Sequence, residues 1–513
     1  MDAPESSEST PLFHFVEKPG PHSVGLQVVE QYDYSRIFRH LTDELGHPST
    51  RERARPLQTL IWYPAQSSAA RPMTVRDYLE LWATETNFGR PRMSTRSTEW
   101  RRAMSPTLEK RLWAARDALP ISGRFPVVVY APGFSHVAWD NADLCEYLAS
   151  HGYLVIASPS MGAMTRNMSM DLAGIDAQAR DVSFLIGYAR TLPGADLSKI
   201  AVAGFSWGGI SNLFAAARDN RIRALVCLDG SLLYWPGLVE RAGDVHPDQM
   251  TIPLLSFAQG GWTPEEQARY LSYAPDEAPN VLNAWAHGDL INVRLLGMTH
   301  REYSSMLQRN EDVWKDFHNR DFPDRQKADY GREYGLPGYG WMALYTRQFL
   351  DAYLKQDSAA LNFLKRTPAC NGAPKHFMTV DYRTGAGTPP SFTGLRAEIG
   401  RLGFSCLEEI HAKMQQANSQ LMLDEGALGE WVRELAEEAR LDEALALAKL
   451  NVSLHPDSGG AHMDLAEIQQ QLGLIQAALD SYREAAQASG FNMQARRRLQ
   501  ELESGGLRAT ISA

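Results

Sequence analysis

Lys199-Ile-Ala-Val-Ala-Gly204-Phe-Ser206-Trp-Gly208 constrains this chain more than any other stretch. A short apolar run leads into Gly-x-Ser-x-Gly, and Gly209-Ile-Ser-Asn-Leu-Phe-Ala-Ala-Ala follows with the composition of a helix. A strand that turns into a helix over a single serine holds that hydroxyl exposed above a sheet edge, and the flanking glycines keep side chains out of the tight turn. The bare pattern is cheap: with 39 glycines in 513 residues it is expected roughly 0.2 times by chance. The strand before it and the helix after it supply the specificity. Ser206 is therefore read as a nucleophile.

The chain is too long for one ordinary domain and ample for a large core. Hydrophobic residues make up 44% and charged residues 22%, the balance of a globular protein and not of a disordered one. A net charge of −10, with no basic cluster, argues against nucleic acid as a partner. No apolar run is long enough for a transmembrane segment. The start, Met1-Asp-Ala-Pro-Glu-Ser-Ser-Glu-Ser-Thr, has neither the basic nor the apolar region of a signal peptide, so the chain as it stands reads as cytoplasmic, and as exported if its N-terminus has been trimmed. Cys145 and Cys227 sit in apolar contexts and read as buried thiols, and a Cys370–Cys406 disulfide is left open.

Strand-like runs recur at Leu57–Tyr63, Phe125–Ala131, Tyr153–Ser158, Lys199–Ala203, Ala224–Leu228, Ile252–Phe257 and Asn292–Leu296, the last taken as the final sheet strand. Between them Asp171–Thr191 has helical periodicity. Continuous apolar strands alternating with helices predict an α/β fold, with a mostly parallel sheet covered on both faces. A polar tail, 1–17, precedes a main domain over 18–383. This domain carries insertions at about 66–118, with Trp82, Phe88, Trp100 and Trp113 in helical surroundings, and 263–290. Either insertion is expected to form a cap over the site or an extra helical layer. Residues 384–394 turn to Gly, Pro and Thr and read as a linker. In 395–513, Leu441–Ala448 and Ile475–Tyr482 align with Ala444 and Ala478 at a spacing of 34 residues, which resembles tetratricopeptide repeats.

A serine hydroxyl needs a base, and the base needs an acid to hold it. In this strand–turn–helix context the chain order is Ser, then Asp or Glu, then His. Asp229 ends the run Ala224–Leu228 and is followed by Gly230, so it falls on the same sheet edge as Ser206. His300 follows Asn292–Leu296 at once, where the base belongs, while the other histidines precede the serine, lie in connecting segments or fall in the repeat region. Two N–H donors are needed for the tetrahedral intermediate. Trp207, next to the nucleophile, supplies one, and Phe134, in Ala131-Pro-Gly-Phe134-Ser-His136, supplies the other. His136, Trp139, Met161, Met164, Tyr234, Trp235 and Trp262 fall on loops expected near the pocket, although core packing accounts for most such aromatics and methionines equally well.

Gly204-Phe-Ser-Trp-Gly-Gly, Leu-Asp229, Gly-Met-Thr-His300, Gly20-Pro-His-Ser-Val-Gly and Leu60-Ile-Trp-Tyr-Pro-Ala65 together resemble the α/β-hydrolase serine esterases related to platelet-activating-factor acetylhydrolase and the dienelactone-hydrolase-like bacterial esterases, over about residues 18–365. The resemblance implies Ser206 as nucleophile, Asp229 as acid, His300 as base and Phe134 with Trp207 as oxyanion donors. The chain departs from the acetylhydrolases at Pro132-Gly133, where they have His-Gly, and in the Met-rich Met161–Met170 segment, so their phospholipid specificity does not carry over. The dienelactone hydrolases proper use a cysteine nucleophile, absent here.

These readings converge on a serine ester hydrolase that needs no cofactor and no metal and acts on a small-molecule ester with an apolar acyl or aromatic group. An amide, peptide or thioester hydrolase with the same triad is the alternative, and a non-catalytic scaffold using the helical repeats is the second. Residues 395–513 leave three roles open: binding a protein partner, a second copy of the chain, or only the main domain.

Overall fold

The structure is a computed structural model that describes residues 15–38, 47–48, 54–88, 91, 94–259, 281–310, 332–388, 390–419, 421–488 and 492–511. The chain forms two compact units, Met1–Ala386 and Gly387–Ala513.

The first unit is built on an eleven-stranded sheet in the order β11-β10-β9-β8-β7-β5-β6-β2-β1-β4-β3. The strands are β1 (Ser23–Ile37), β2 (Ala54–Ala65), β3 (Pro72–Thr74), β4 (Arg111–Arg116), β5 (Phe125–Ala131), β6 (Leu154–Ala157), β7 (Ala195–Phe205), β8 (Ile222–Leu228), β9 (Leu254–Gln259), β10 (Leu290–Leu295) and β11 (Met378–Arg383). Strands β6, β5, β7, β8, β9 and β10 pair in parallel, while β2 joins β6, and β1 joins β2, antiparallel. Alternate side chains of the central strands enter two separate cores. Val128 and Tyr130 pack on one face with the helices Ala142–Ser150 and Arg332–Leu354. Val127, Val129 and Ala131 pack on the other, with Leu172–Ala189 and Trp207–Arg218. Period two in the strands thus divides one sheet into two buried faces, and neither face of the parallel centre is left to water. This strand order with helices on both faces is the α/β-hydrolase fold.

The helix Leu172–Ala189 starts where Asp171 Oδ1 accepts the N–H of Gly174 (2.9 Å). It buries Ile175, Ala179, Val182 and Ile186 at helical spacing. Burial pushes the Cys145 and Cys227 thiols far above their usual range, and all four cysteines are free.

Two expectations need correction. Residues 66–118 are not all helical: Arg111–Arg116, with Trp113, is β4, paired in parallel with β1 through Val24 and Ala114. The final sheet strand is β11, antiparallel to β10, not Asn292–Leu296. The second insertion is described only from Val281 on, as a short helix, Val281–Ala284, and the fully buried Trp285, whose indole N–H donates to the Ile252 carbonyl (3.2 Å).

The second unit is helical: Phe392–Leu402, Leu407–Ala417, Glu425–Glu437, Leu441–Leu454, Gly459–Gln471, Ile475–Gln487 and Asn492–Ile511. No helix among the described residues is long and apolar enough to cross a membrane.

Candidate active site

Parallel strands end together, so the loops after β5, β7, β8 and β10 meet at one sheet edge, and the reversal of order between β5 and β7 opens a crevice there. Ser206 follows β7 directly and heads the helix Trp207–Arg218. Its φ of 53° and ψ of −119° lie in the left-handed half of the map, a conformation that costs a non-glycine residue roughly 1–3 kcal/mol. The turn is so tight that a Cβ on Gly204 would sit 2.5 Å from the Gly208 backbone carbon, and one on Gly208 would sit 2.0 Å from the Ala131 oxygen. Those contacts explain why both positions are glycine.

His300 Nε2 lies 2.9 Å from Ser206 Oγ and His300 Nδ1 lies 2.6 Å from Asp229 Oδ2. Asp229 is fully buried at the end of β8, also at positive φ (44°). Its second oxygen accepts the Tyr234 hydroxyl (2.5 Å) and the Gln259 N–H (3.2 Å), so both carboxylate oxygens are engaged. An ionised Asp229 accepts only, so the proton on the imidazole sits on Nδ1 and the Nε2 lone pair is left for the serine hydroxyl. His300 opens a short 3-10 turn, His300–Tyr303, in which Thr299 caps Glu302 and the Glu302 carboxylate accepts the Thr299 N–H (2.6 Å).

The loop after β5 carries a second histidine–carboxylate couple. His136 Nδ1 lies 3.0 Å from Oδ2 of the fully buried Asp140. Asp140 also accepts the Tyr130 hydroxyl (2.8 Å) and the Gly133 N–H (3.1 Å). The Phe205 ring packs against both imidazoles, at 5.0 Å from His300 and 5.9 Å from His136 between ring centroids. The Asp140–Asn141 turn is tied to the His300 loop as well. The Asp140 carbonyl accepts the Met306 N–H (2.9 Å) and the Ser304 hydroxyl (2.8 Å), and Asn141 bridges Tyr303 and Ser305.

Among the described residues, neither the Phe134 nor the Trp207 N–H has an acceptor. The Phe134, Trp207 and Trp235 rings form a chain of edge-on contacts, 5.7 Å and 6.3 Å between centroids. Tyr234 is buried and committed to Asp229, and Met164 is half-buried. Met161 and Trp139 are placed differently from the expectation. Met161 has 0% exposure among Phe38 and Leu57, and Trp139 packs in the core near Tyr78, so neither is placed to touch a substrate. Trp262 lies outside the described residues.

Sequence reasoning missed Asp140, Asn141 and Arg166. Arg166, in the Met-rich loop, reaches the carbonyls of Ser160 (2.9 Å), His136 (3.2 Å) and Ser135 (3.3 Å) and pairs with Glu85 (2.5 Å). Burial pushes the Glu85 carboxyl above its ordinary range against the pull of Arg166. Only the i,i+4 spacing of His136 and Asp140 could have hinted at this network in advance.

The family model described as chlorophyllase matches residues 89–230, a stretch that holds the strained serine, Asp229 and the loop after β5. No curated protein matches the sequence significantly. Among solved structures, the ferulic acid esterase of Streptomyces cinnamoneus is 20% identical with a TM-score of 0.48, over 71% of this chain and 98% of that one.

Proposed function

We propose that this chain is a serine ester hydrolase working through an acyl-enzyme on Ser206, His300 and Asp229. The observation that carries the reading is the continuous relay from Ser206 Oγ through His300 to a fully buried Asp229 on a strained turn. Ser206 Oγ attacks the ester carbonyl carbon while His300 Nε2 takes its proton. The carbonyl oxygen becomes an oxyanion, which accepts hydrogen bonds donated by the Phe134 and Trp207 N–H groups. His300 then returns the proton to the leaving alcohol, and water, activated by the same imidazole, releases the acid. Asp229 stays ionised and stabilises the imidazolium. The half-buried Phe134 and Trp235, with Trp207, offer an aromatic wall to an apolar acyl or aryl group. The match to the chlorophyllase family model supports the enzyme class and stops short of naming the ester.

Residues 425–487 are read as two tetratricopeptide-like units. Helices start at Glu425 and Gly459 behind side-chain caps Asp424 and Ser458, and turn at left-handed Ala439 and Gly473. Ala444 and Ala478 are both fully buried. Each feature recurs after 34 residues, which supports the repeat reading.

Hydrolysis of p-nitrophenyl esters from acetyl to long acyl, on wild type and Ser206→Ala, tests the proposal. Turnover in the wild type and its loss in the variant is the expected result, with the chain-length optimum sizing the pocket. A folded wild type inert on every ester would contradict it.

A further inference from the structure

The segment that offers the Phe134 N–H, Pro132–His136, is held in an unfavourable conformation: Ser135 has a φ of 56° without being glycine. Something must hold it there. From one side, Asp140 accepts the Gly133 N–H and the His136 ring, and Gln178 donates to the Pro132 carbonyl (2.9 Å). From the other side, the Met168 N–H donates to Ser135 Oγ (2.8 Å) and the Ser160 N–H to the His136 carbonyl (3.0 Å). Arg166 lies on that side as well. Its guanidinium spans the carbonyls of Ser135, His136 and Ser160, and its remaining N–H groups are anchored on both oxygens of Glu85 (2.5 and 3.0 Å). Glu85 is nearly inaccessible, at 4% side-chain exposure, so the pair is a built feature and not a surface contact.

We infer that Arg166 is the positioning residue of the oxyanion loop: by gripping the successive carbonyls of Ser135 and His136 it keeps the strained turn, and with it the Phe134 N–H, aimed at the developing oxyanion. A planar fork can hold several carbonyls and a carboxylate at once, whereas a lysine ammonium is a single point of charge. Glu85 orients the fork and supplies the counter-charge. Because Glu85 belongs to the segment inserted between β2 and β4, that insertion is tied to the oxyanion loop through one ion pair. The inference rests on the reading of Ser206 as nucleophile.

The test is the rate at which a fluorophosphonate probe modifies Ser206, alongside p-nitrophenyl ester kinetics, in wild type, Arg166→Lys, Arg166→Ala, Glu85→Gln and Ser206→Ala, with melting temperatures for each. In the probe reaction the Ser206 Oγ–P bond forms as P–F breaks, fluoride leaves and His300 takes the serine proton. The phosphoryl oxygen then needs the same N–H donors as an oxyanion. For a misaimed donor we expect kcat and probe rate in Arg166→Ala to fall together by roughly 30- to 300-fold while KM moves less than about threefold. Arg166→Lys should recover only part of that loss, and Glu85→Gln should lie between lysine and wild type. Folded Arg166 variants that keep wild-type kcat and probe rate would overturn the inference. So would a loss that appears in KM or melting temperature but not in the probe rate. A wild type that reacts with the probe yet hydrolyses no ester would sink the esterase reading alone and leave the probe rates to decide on Arg166. Equal labelling of wild type and Ser206→Ala would sink both.

Discussion

Two histidine–carboxylate couples share this sheet edge, and their similarity makes the difference between them informative. In each, a fully buried aspartate holds an imidazole by Nδ1, takes a tyrosine hydroxyl and a main-chain N–H, and fixes the tautomer. They differ in what the aspartate joins. Asp229 and His300 lie 71 residues apart, on loops after different strands, and the far nitrogen of His300 meets the Ser206 hydroxyl at 2.9 Å. Asp140 and His136 lie four residues apart in one turn, and Nε2 of His136 has no partner among the described residues. A histidine–aspartate contact alone does not make a catalytic base. The group at the second nitrogen does, and here that group is a serine held in a strained turn. On our account the first couple moves a proton and the second shapes a loop.

That division can be broken by substitution. Ser206→Ala and His300→Ala should each cost on the order of 10⁴–10⁶ in ester turnover, measured as kcat at saturating p-nitrophenyl ester. Asp229→Asn should cost about 10³–10⁴, because the geometry survives but the tautomer and the imidazolium lose their partner. Asp140→Asn should cost less, about 10- to 100-fold, since it loosens the Gly133 N–H and not the base. If Asp140→Asn matches Asp229→Asn, the two couples are not separated as argued. Tyr234→Phe removes one hydrogen bond to Asp229 and is expected to cost about three- to tenfold. Equal rates for Tyr234→Phe and wild type would show that the Gln259 N–H alone suffices to hold the carboxylate.

A third buried carboxylate sharpens the contrast. Glu146 accepts the Tyr78 hydroxyl and the Trp113 N–H (2.5 Å each) but holds no histidine, and burial pushes its pKa up to about 8. A carboxyl raised in the folded state stabilises the fold below its ordinary value of 4.5, and that contribution is lost as pH rises through about 8. Glu146→Gln should therefore flatten the decline of the melting temperature between pH 5 and about 8 while leaving ester turnover unchanged. A slope that persists in the variant would show that other groups carry it.

The parallel centre of the sheet was legible because strands buried on both faces must be continuously apolar, as in Phe125–Ala131 and Ala224–Leu228. Its flanks were not. β1 mixes Val28 and Val29 with Glu30, Gln31 and Asp33 over fifteen residues, six of them exposed, and β4 is six residues among aromatics that also suit helices. β11 alternates polar and apolar at an edge and lies 83 residues beyond β10 in sequence. Ser206, Asp229 and His300 could be proposed because strand ends fix their place. Arg166 could not, since what it holds lies largely in main-chain carbonyls that no residue pattern announces, and Asp140 offered only its i,i+4 spacing from His136. Met161 and Trp139 looked like pocket residues for the same reason: a loop position does not reveal which way its side chain points.

The most direct test of the central claim is peptide mapping by mass spectrometry after acid quenching during turnover of a p-nitrophenyl ester, in wild type, His300→Ala and His136→Ala. The account predicts one acyl group on the peptide containing Ser206 in wild type and in His136→Ala, and none in His300→Ala. An acyl group on another residue, or one on Ser206 that depends on His136 and not on His300, would contradict it.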